Sequence, residues 1–564
     1  MSLLLDKHGE PVGPPLSDHI ELNFFEAGHP FQDASEEQRL AALRAIAAAA
    51  KTEFEKSLKA LQELVHQCDP ISLLAHFGFY DLTFPYRDES IYSPAEQHQV
   101  EILQALILMI PESELSRVPP TPEQRLQANK LSEEITHGFI MYRIDPAKIS
   151  PADSIREQAR LATQSIRNPG YSDQVEKNLE ELFDPLDGDL LAYRGVTFSG
   201  LIHLCRAFRG RMEKRYNSLC QAFRRIRKEK TMEDMLRRFD SEFRVGEEVL
   251  EIFRGHIRSE NLDADRLCAG LWNYSERVHP VVFAADIDEL VADYPTAIER
   301  PVLSTALDAW SYRFGELASA KIEHLFLDNP VWRRPLLKIN GHTYFWPIIG
   351  SFISFGLEML EEQLVGNDGL KAKYHDRRAT FLEQKVASLL SEALPSSTIY
   401  KNLVWFDPKQ GETDAFALID QHALIFECKS GRIKPSARRG GGSLFEEIKE
   451  LIQEPTDQGC RFEALLGASK EPLKLEDKKG HVHEIQRPRI KRVTRVNVLL
   501  DFFGVLALRI QVAFGGRLTR TDAHSGSNDV TCRSSKRLCG CSSPLCSSFT
   551  ICTAAANSRP KLKS

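Results

Sequence analysis

Two short apolar runs flank the polar pair Asp420-Gln421, and the first is entered through Gly411-Glu412-Thr413-Asp414. The second, Ala423-Leu424-Ile425-Phe426, ends in Glu427-Cys428-Lys429-Ser430-Gly431. Apolar runs of this length around a polar turn predict two strands of one hairpin. A loop of two residues, Asp420-Gln421, or of four, Ile419 to His422, gives the same antiparallel register and sets Asp414 opposite Glu427. Side chains opposed in this way share a face, with Cβ atoms roughly 4.5–5.5 Å apart. Two carboxylates there repel unless a cation lies between them. Lys429, two residues beyond Glu427, points the same way. A three-residue loop would shift the register by one and separate the acids.

A third carboxylate lies upstream. Thr380 to Leu394 reads as a helix whose apolar side carries Phe381, Leu382, Val386, Leu389, Leu390 and Leu394. Glu383 is three residues before Val386 and seven before Leu390, so it borders that apolar face. An acid in such a position needs a partner, which a divalent ion would supply.

Glu383 on a helix, Asp414 on a following strand and Glu427-Cys428-Lys429 on the next together resemble the PD-(D/E)xK nuclease superfamily, the restriction-endonuclease-like proteins. The resemblance runs from Pro335 to about Arg495 and implies an αβββαβ core. It implies that Asp414 and Glu427 bind Mg²⁺ (or Mn²⁺) with the backbone carbonyl of Cys428, that Lys429 orients or deprotonates the attacking water, and that the reaction is phosphodiester hydrolysis. Hard oxygen ligands suit Mg²⁺. Thr413 stands where the signature has Pro. Gln458 resembles the helical Gln that some branches carry after the Lys, and is expected to neighbour the site.

Immediately after Lys429, Gly431 to Gly442 is basic and glycine-rich, with Arg432, Lys434, Arg438 and Arg439. A cationic loop beside the catalytic strand could contact a nucleic-acid backbone; it could equally be a plain connector. No Gly-Lys-Ser/Thr ending follows, so it is not a nucleotide-binding P-loop.

Before this domain, strand signals are few. Ala34-Ser35-Glu36-Glu37 opens a long helix to Cys68, with Ser35 and Gln38 placed as a capping box. Further helices are expected near Ser93–Ile110, Thr121–Phe139, Ser154–Arg167, Ser172–Leu182 and Gly200–Arg238. Between Leu204 and Arg238, cations such as Arg206, Arg209, Arg211 and Arg215 are interleaved with Phe208, Tyr216 and Phe223. Such a run is either a phosphate-contacting face or the solvated face of an amphipathic helix balanced by its own glutamates, and the second reading is slightly preferred. Asp286, Asp288, Glu289 and Asp293 read as a helix start without metal-loop spacing. Trp310, Tyr312, Phe314 and Phe326 read as core. Asn340-Gly341 between Leu336-Leu337-Lys338-Ile339 and Thr343-Tyr344-Phe345-Trp346 is a strong hairpin signal, expected to lead into the nuclease-like domain.

The chain has 564 residues and a net charge of -7, enough for several domains. Its N-terminal apolar run is too short for a secretion signal. The longest apolar stretch, Val496 to Phe514, contains Asp501 and Arg509 and is expected to be buried rather than membrane-spanning. Scattered cysteines before Gly515 fit a reducing compartment, so a cytoplasmic protein is expected. Past Gly515 the composition turns to Ser, Thr, Arg and Cys (Cys532, Cys539, Cys541, Cys546, Cys552) without Cys-x-x-Cys pairs; this tail reads as disordered or aberrant.

The fold class expected is multidomain: an irregular segment 1–30, a mainly α-helical region 31–328, an α/β restriction-endonuclease-like domain 329–514 with a mixed central sheet, and the tail 515–564. The expected function is metal-dependent hydrolysis of nucleic acid, DNA first, in defence or repair. The alternative is a regulatory protein that uses the same fold to bind nucleic acid without cutting it.

Overall fold

The computed structural model describes residues 35–82, 96–141, 143, 151–167, 170–406, 409–468, 471–501 and 550–555. The protein is mostly helical, with two mixed sheets. Helix Glu36–Gln67 begins where Ser35 Oγ accepts the Gln38 N–H and Gln38 Oε1 accepts the Ser35 N–H, the reciprocal cap legible in the sequence. It packs along helix Pro122–Met141, with Phe54, Phe139 and Phe326 in mutual ring contact. The expected helix Gly200–Arg238 is two, Phe198–Arg227 and Met232–Phe243. The break follows from Thr231, whose hydroxyl accepts the Asp234 N–H and so starts a new helix.

The four-stranded sheet has the order β1-β4-β3-β2, with β1 Ala284–Asp286, β2 Ser311–Tyr312, β3 Leu336–Ile339 and β4 Thr343–Phe345. The Asn340-Gly341 hairpin is present, both residues taking positive φ (54° and 75°). It packs with the helical region, however. Leu336, Leu337, Tyr344 and Phe345 belong to the same apolar core as Phe54, Leu103, Phe208 and Phe283. That core continues past residue 329, through helix Ser351–Glu362 to Tyr374 and Phe381 on the helix Asp368–Ala393.

The seven-stranded sheet has the order β11-β10-β7-β6-β5-β8-β9. Its strands are β5 Thr398–Phe406, β6 Gln410–Ile419, β7 His422–Lys429, β8 Leu473–Asp477, β9 Val482–Ile485, β10 Arg492–Leu499 and β11 Thr550–Ala555. Only the β7–β10 pair is parallel, which requires a crossover, supplied here by helix Glu454–Gly467. Leu382, Val386 and Leu390 of helix Asp368–Ala393 cover one face over Ala415 and Phe426. Phe462 and Leu466 of the crossover helix cover the other over Leu403, Trp405 and Phe416. Part of the tail expected to be unstructured, Thr550–Ala555, is an edge strand antiparallel to β10; the rest of the tail, residues 1–34 and Val496–Phe514 beyond Asp501 lie outside the described residues. No described helix is long and apolar enough to cross a membrane.

Within the helical region His279 is fully buried, stacked on Phe79 at 3.9 Å, and neither ring nitrogen has a hydrogen-bond partner. Burial pushes its pKa down to about 3, with Glu276 opposing the shift and His76 and Arg125 reinforcing it. A depressed histidine pKa means that the unfolded chain binds the proton first. Stability is therefore full above the unfolded value and is lost as pH falls below about 6.5, by up to about 1.4 kcal/mol per pH unit. Thermal midpoints measured between pH 7.5 and 5 should fall steeply, and His279→Phe should flatten that slope; an unchanged slope would remove His279 as the cause.

Candidate active site

The β6–β7 hairpin closes through Asp420-Gln421, with Ile419 paired to His422 and Ala415 to Phe426. Asp420 takes φ 52°, which Asp tolerates better than most residues. Continuing this register by one sets Asp414 against Glu427, as expected, but the regular ladder stops at Ala415–Phe426. The cause lies on β5, where Asn402 has φ 52° and the β5–β6 pairing skips Asn402 and Asp414. The irregularity frees both side chains from the ladder. Asp414 Oδ2 accepts the Cys428 N–H at 2.6 Å, and Asn402 Nδ2 donates to Glu383 Oε2 at 3.0 Å. Glu383 is half-buried on helix Asp368–Ala393, on the border of its apolar face.

Glu427 is buried at 2% exposure. Its Oε2 accepts from Gln458 Nε2 at 2.9 Å, and Gln458 also donates to the Glu412 carbonyl. Gln458 therefore does neighbour the site. Glu427 Oε1, by contrast, is buried with no well-formed hydrogen bond, although the Thr413 hydroxyl lies close enough to the carboxyl to oppose its upward shift. Burial, and then the Asp414 charge, push the Glu427 carboxyl up to about 9. Burial likewise pushes Asp414 up to about 6, although the Cys428 N–H opposes it. Two adjacent carboxyl groups held far above their usual range, one with an oxygen lacking a well-formed hydrogen bond, form a site short of positive charge.

An open cavity of about 470 Å³ lies beside them, lined by Glu383, Gln410, Glu412, Asp414, Cys428, Lys429, Gln458 and Arg461; Glu427 lies buried behind that lining. Lys429 is half-buried at its wall and makes no ion pair with another described residue. Among the described residues no three His, Cys, Asp or Glu side chains converge as a ready-made metal cage. The donors present are the Asp414 and Glu427 carboxylates, with Cys428 on the cavity wall beside them, and carboxylates suit Mg²⁺, which binds through one or two of them and keeps several waters.

The loop after β7 is placed differently from its expectation. Arg432 pairs with Glu358, Glu361 and Asp501, Arg438 with Glu358 and Asp501, and Arg439 with Asp328. Three of the four cations thus face internal carboxylates and are not free for phosphate; Lys434 alone is largely exposed, 3.8 Å from Glu447. The basic helix Phe198–Arg227 behaves likewise. Arg206 and Arg209 bind Glu176, and Arg211 and Arg215 bind Glu289, with Asp293 also on Arg211. Asp286 and Glu289 form the capping box of helix Ile287–Asp293, as their spacing suggested.

Sequence reasoning missed Asn402, Lys478 and Arg461. Lys478 Nζ lies 2.6 Å from Glu412 and within electrostatic reach of Glu383 and Asp414. Arg461 lines the cavity and stands over the Trp405 ring. Gly411 was quoted only as the entry to the hairpin; a Cβ there would lie 2.3 Å from the Trp405 ring, so the residue must be glycine for β5 and β6 to pair beside the site. An Asn in the middle of a strand pattern was the one visible signal, since Asn is among the few residues that accept positive φ.

No protein-family model, curated protein or solved structure matches the chain.

Proposed function

We propose that the protein is a metal-dependent nuclease of the restriction-endonuclease-like class, acting on DNA. The observation that carries this reading is the buried Glu427 carboxyl, with Oε1 unsatisfied, beside Asp414, which together with Lys429 lines the adjoining cavity. The order helix Asp368–Ala393, β5, β6, β7, helix Glu454–Gly467, β10 supports it, with the β8–β9 hairpin inserted before the last strand.

Asp414, Glu427 and the Cys428 carbonyl would hold Mg²⁺. When bound, the ion supplies charge stabilisation at the phosphate and a water of lowered pKa. Lys429 contributes a fixed positive charge that can orient the attacking water and stabilise the developing oxyanion. Gln458 holds one Glu427 oxygen and leaves the other for the cation. Asn402 fixes Glu383 at the cavity wall, where its carboxylate can accept a hydrogen bond from a water.

Linear, circular and single-stranded DNA, and RNA, incubated with and without Mg²⁺ or Mn²⁺, test the reading, with Asp414→Ala as control. Metal-dependent cutting of DNA that is lost in Asp414→Ala is the expected result. Binding without cutting under every metal would replace it with a binding protein, and neither binding nor cutting would overturn it.

A further inference from the structure

The β5–β6 pair extends past the carboxylates as far as Phe406 and Gln410. Leu403 and Trp405 of β5 face Phe462 and Leu466 of the crossover helix. Strand alternation then turns Val404 and Phe406 to the opposite face, together with their partners Glu412 and Gln410. Both of those partners line the catalytic cavity. Phe406, directly across from Gln410, thus shares the face of the cavity. It is 73% exposed, more than any other large apolar residue described. The four residues from Gln410 to Asp414 span about 13 Å at strand rise.

The same face stays open beyond this pair. Glu476 pairs with Val404 and Val482 pairs with Glu476, and both are exposed. Among the described residues no helix packs on this end of the sheet, whereas helix Asp368–Ala393 covers the Ala415–Phe426 end. Lys429 on the cavity wall makes no ion pair with another described residue, and Arg461, which stands over the Trp405 ring on the crossover-helix side, lines the same cavity. Exposed aromatic surface therefore adjoins unpaired positive charge and a phosphate-hydrolysing site. A neutral carbohydrate would use the aromatic but not the cations; a nucleic acid strand uses both, and it is the polymer that a phosphodiester-cleaving site takes.

We propose that Phe406 is a base-stacking residue and that the site takes a single-stranded or frayed segment, with one base seated on the Phe406 ring. This deepens the nuclease reading and rests on it. The bases of an intact duplex are stacked on one another, so an exposed ring reaches a base face only where the strand is unpaired. By the 3.4 Å rise of a stacked strand, that base lies within about four nucleotides of the scissile phosphate, and fewer if the strand is extended. Phe406 touches the substrate but no reacting atom, so its part is binding and placement.

The test is binding of a fluorescent single-stranded DNA oligonucleotide, and of the same sequence as duplex, by the full-length protein in Ca²⁺, followed by cleavage in Mg²⁺. Phe406→Ala should weaken single-strand binding by about 5- to 150-fold, the range of one lost base–aromatic stack. Phe406→Trp should restore it, and binding to the blunt duplex should change by less than about 2-fold. Scanning a single abasic site along the strand should find one position that weakens the wild type and has no added effect in Phe406→Ala.

That non-additivity reads the contact directly and does not depend on catalysis. Abasic and Phe406→Ala effects that simply add, or single-strand binding unchanged in Phe406→Ala, would overturn the proposal. Metal-dependent cleavage in Phe406→Ala at high strand concentration would leave the nuclease reading standing in that case. A wild type that binds the strand without cutting would overturn the nuclease reading alone, while the abasic scan would still decide the role of Phe406. A wild type that binds no strand at all would overturn both.

Discussion

Glu427→Gln is expected to lower metal-dependent cleavage by at least about 10³-fold, the several kcal/mol that a catalytic ion contributes, without lowering the thermal midpoint of the metal-free protein. Ordinarily a polar change at a residue 2% exposed is destabilising. Here the native carboxyl is the disfavoured group: burial and the nearby Asp414 charge push it up to about 9, and its Oε1 has no well-formed hydrogen bond. Glutamine has the same shape and no charge, and its carbonyl can still accept the Gln458 Nε2–H that Glu427 Oε2 accepts now. The wild type should also gain thermal stability when Mg²⁺ is added, since a ligand that binds only the folded state stabilises it, and the variant should not. Midpoints with EDTA and with Mg²⁺, beside cleavage rates, check both halves. Wild-type cleavage by Glu427→Gln, or a midpoint several degrees below wild type in EDTA, would show that Glu427 is a structural acid.

What could be seen in advance depended on how local its cause was. The turn Asp420-Gln421 sits between two apolar runs, so the hairpin and its register were legible, and with them the approach of Asp414 to Glu427. The position of Glu383 followed from helical spacing alone. The detachment of Asp414 from the ladder was not legible, because it arises from the positive φ of Asn402 on a different strand. The Gly431–Gly442 loop shows the same limit more sharply. Its arginines read as free cations because their partners are distant in sequence: Asp328, Glu358 and Glu361 precede them by more than 70 residues, within the expected helical region or at the start of the expected nuclease-like domain, and Asp501 follows them by more than 60. The Asn340-Gly341 hairpin was recognised as a hairpin, but which sheet it joined depended on β1 and β2, short strands with almost no pattern of their own. In each case the element was local and its partner was not.

Arg432→Ala is expected to destabilise the protein by about 3–5 kcal/mol, the usual cost of leaving buried charges without a partner, and to leave the salt dependence of nucleic-acid binding unchanged. Arg432 is mostly buried, at 15% side-chain exposure, and bridges Glu358 and Glu361 of helix Ser351–Glu362, with Asp501 at 3.9 Å. Without it, Arg438 would be the remaining cation on Glu358 and Asp501, and Arg378, 3.8 Å away, the remaining cation on Glu361. Arg378 also donates to the Ser430 carbonyl, one residue past Lys429. The cluster thus ties the end of β7 to the helical region, and loosening it should displace Lys429 and, on the nuclease reading, lower the cleavage rate at temperatures where the variant is still folded. Replacing Glu358 with Leu in the same chain should recover part of the lost stability, because a buried charge is removed along with its partner. A phosphate-contacting Arg432 would behave in the opposite way: the thermal midpoint would stay within a degree of wild type, and the slope of binding against salt would shrink by about one unit. Measuring the midpoint and the salt slope on the same preparation therefore decides whether this arginine holds the fold or the substrate.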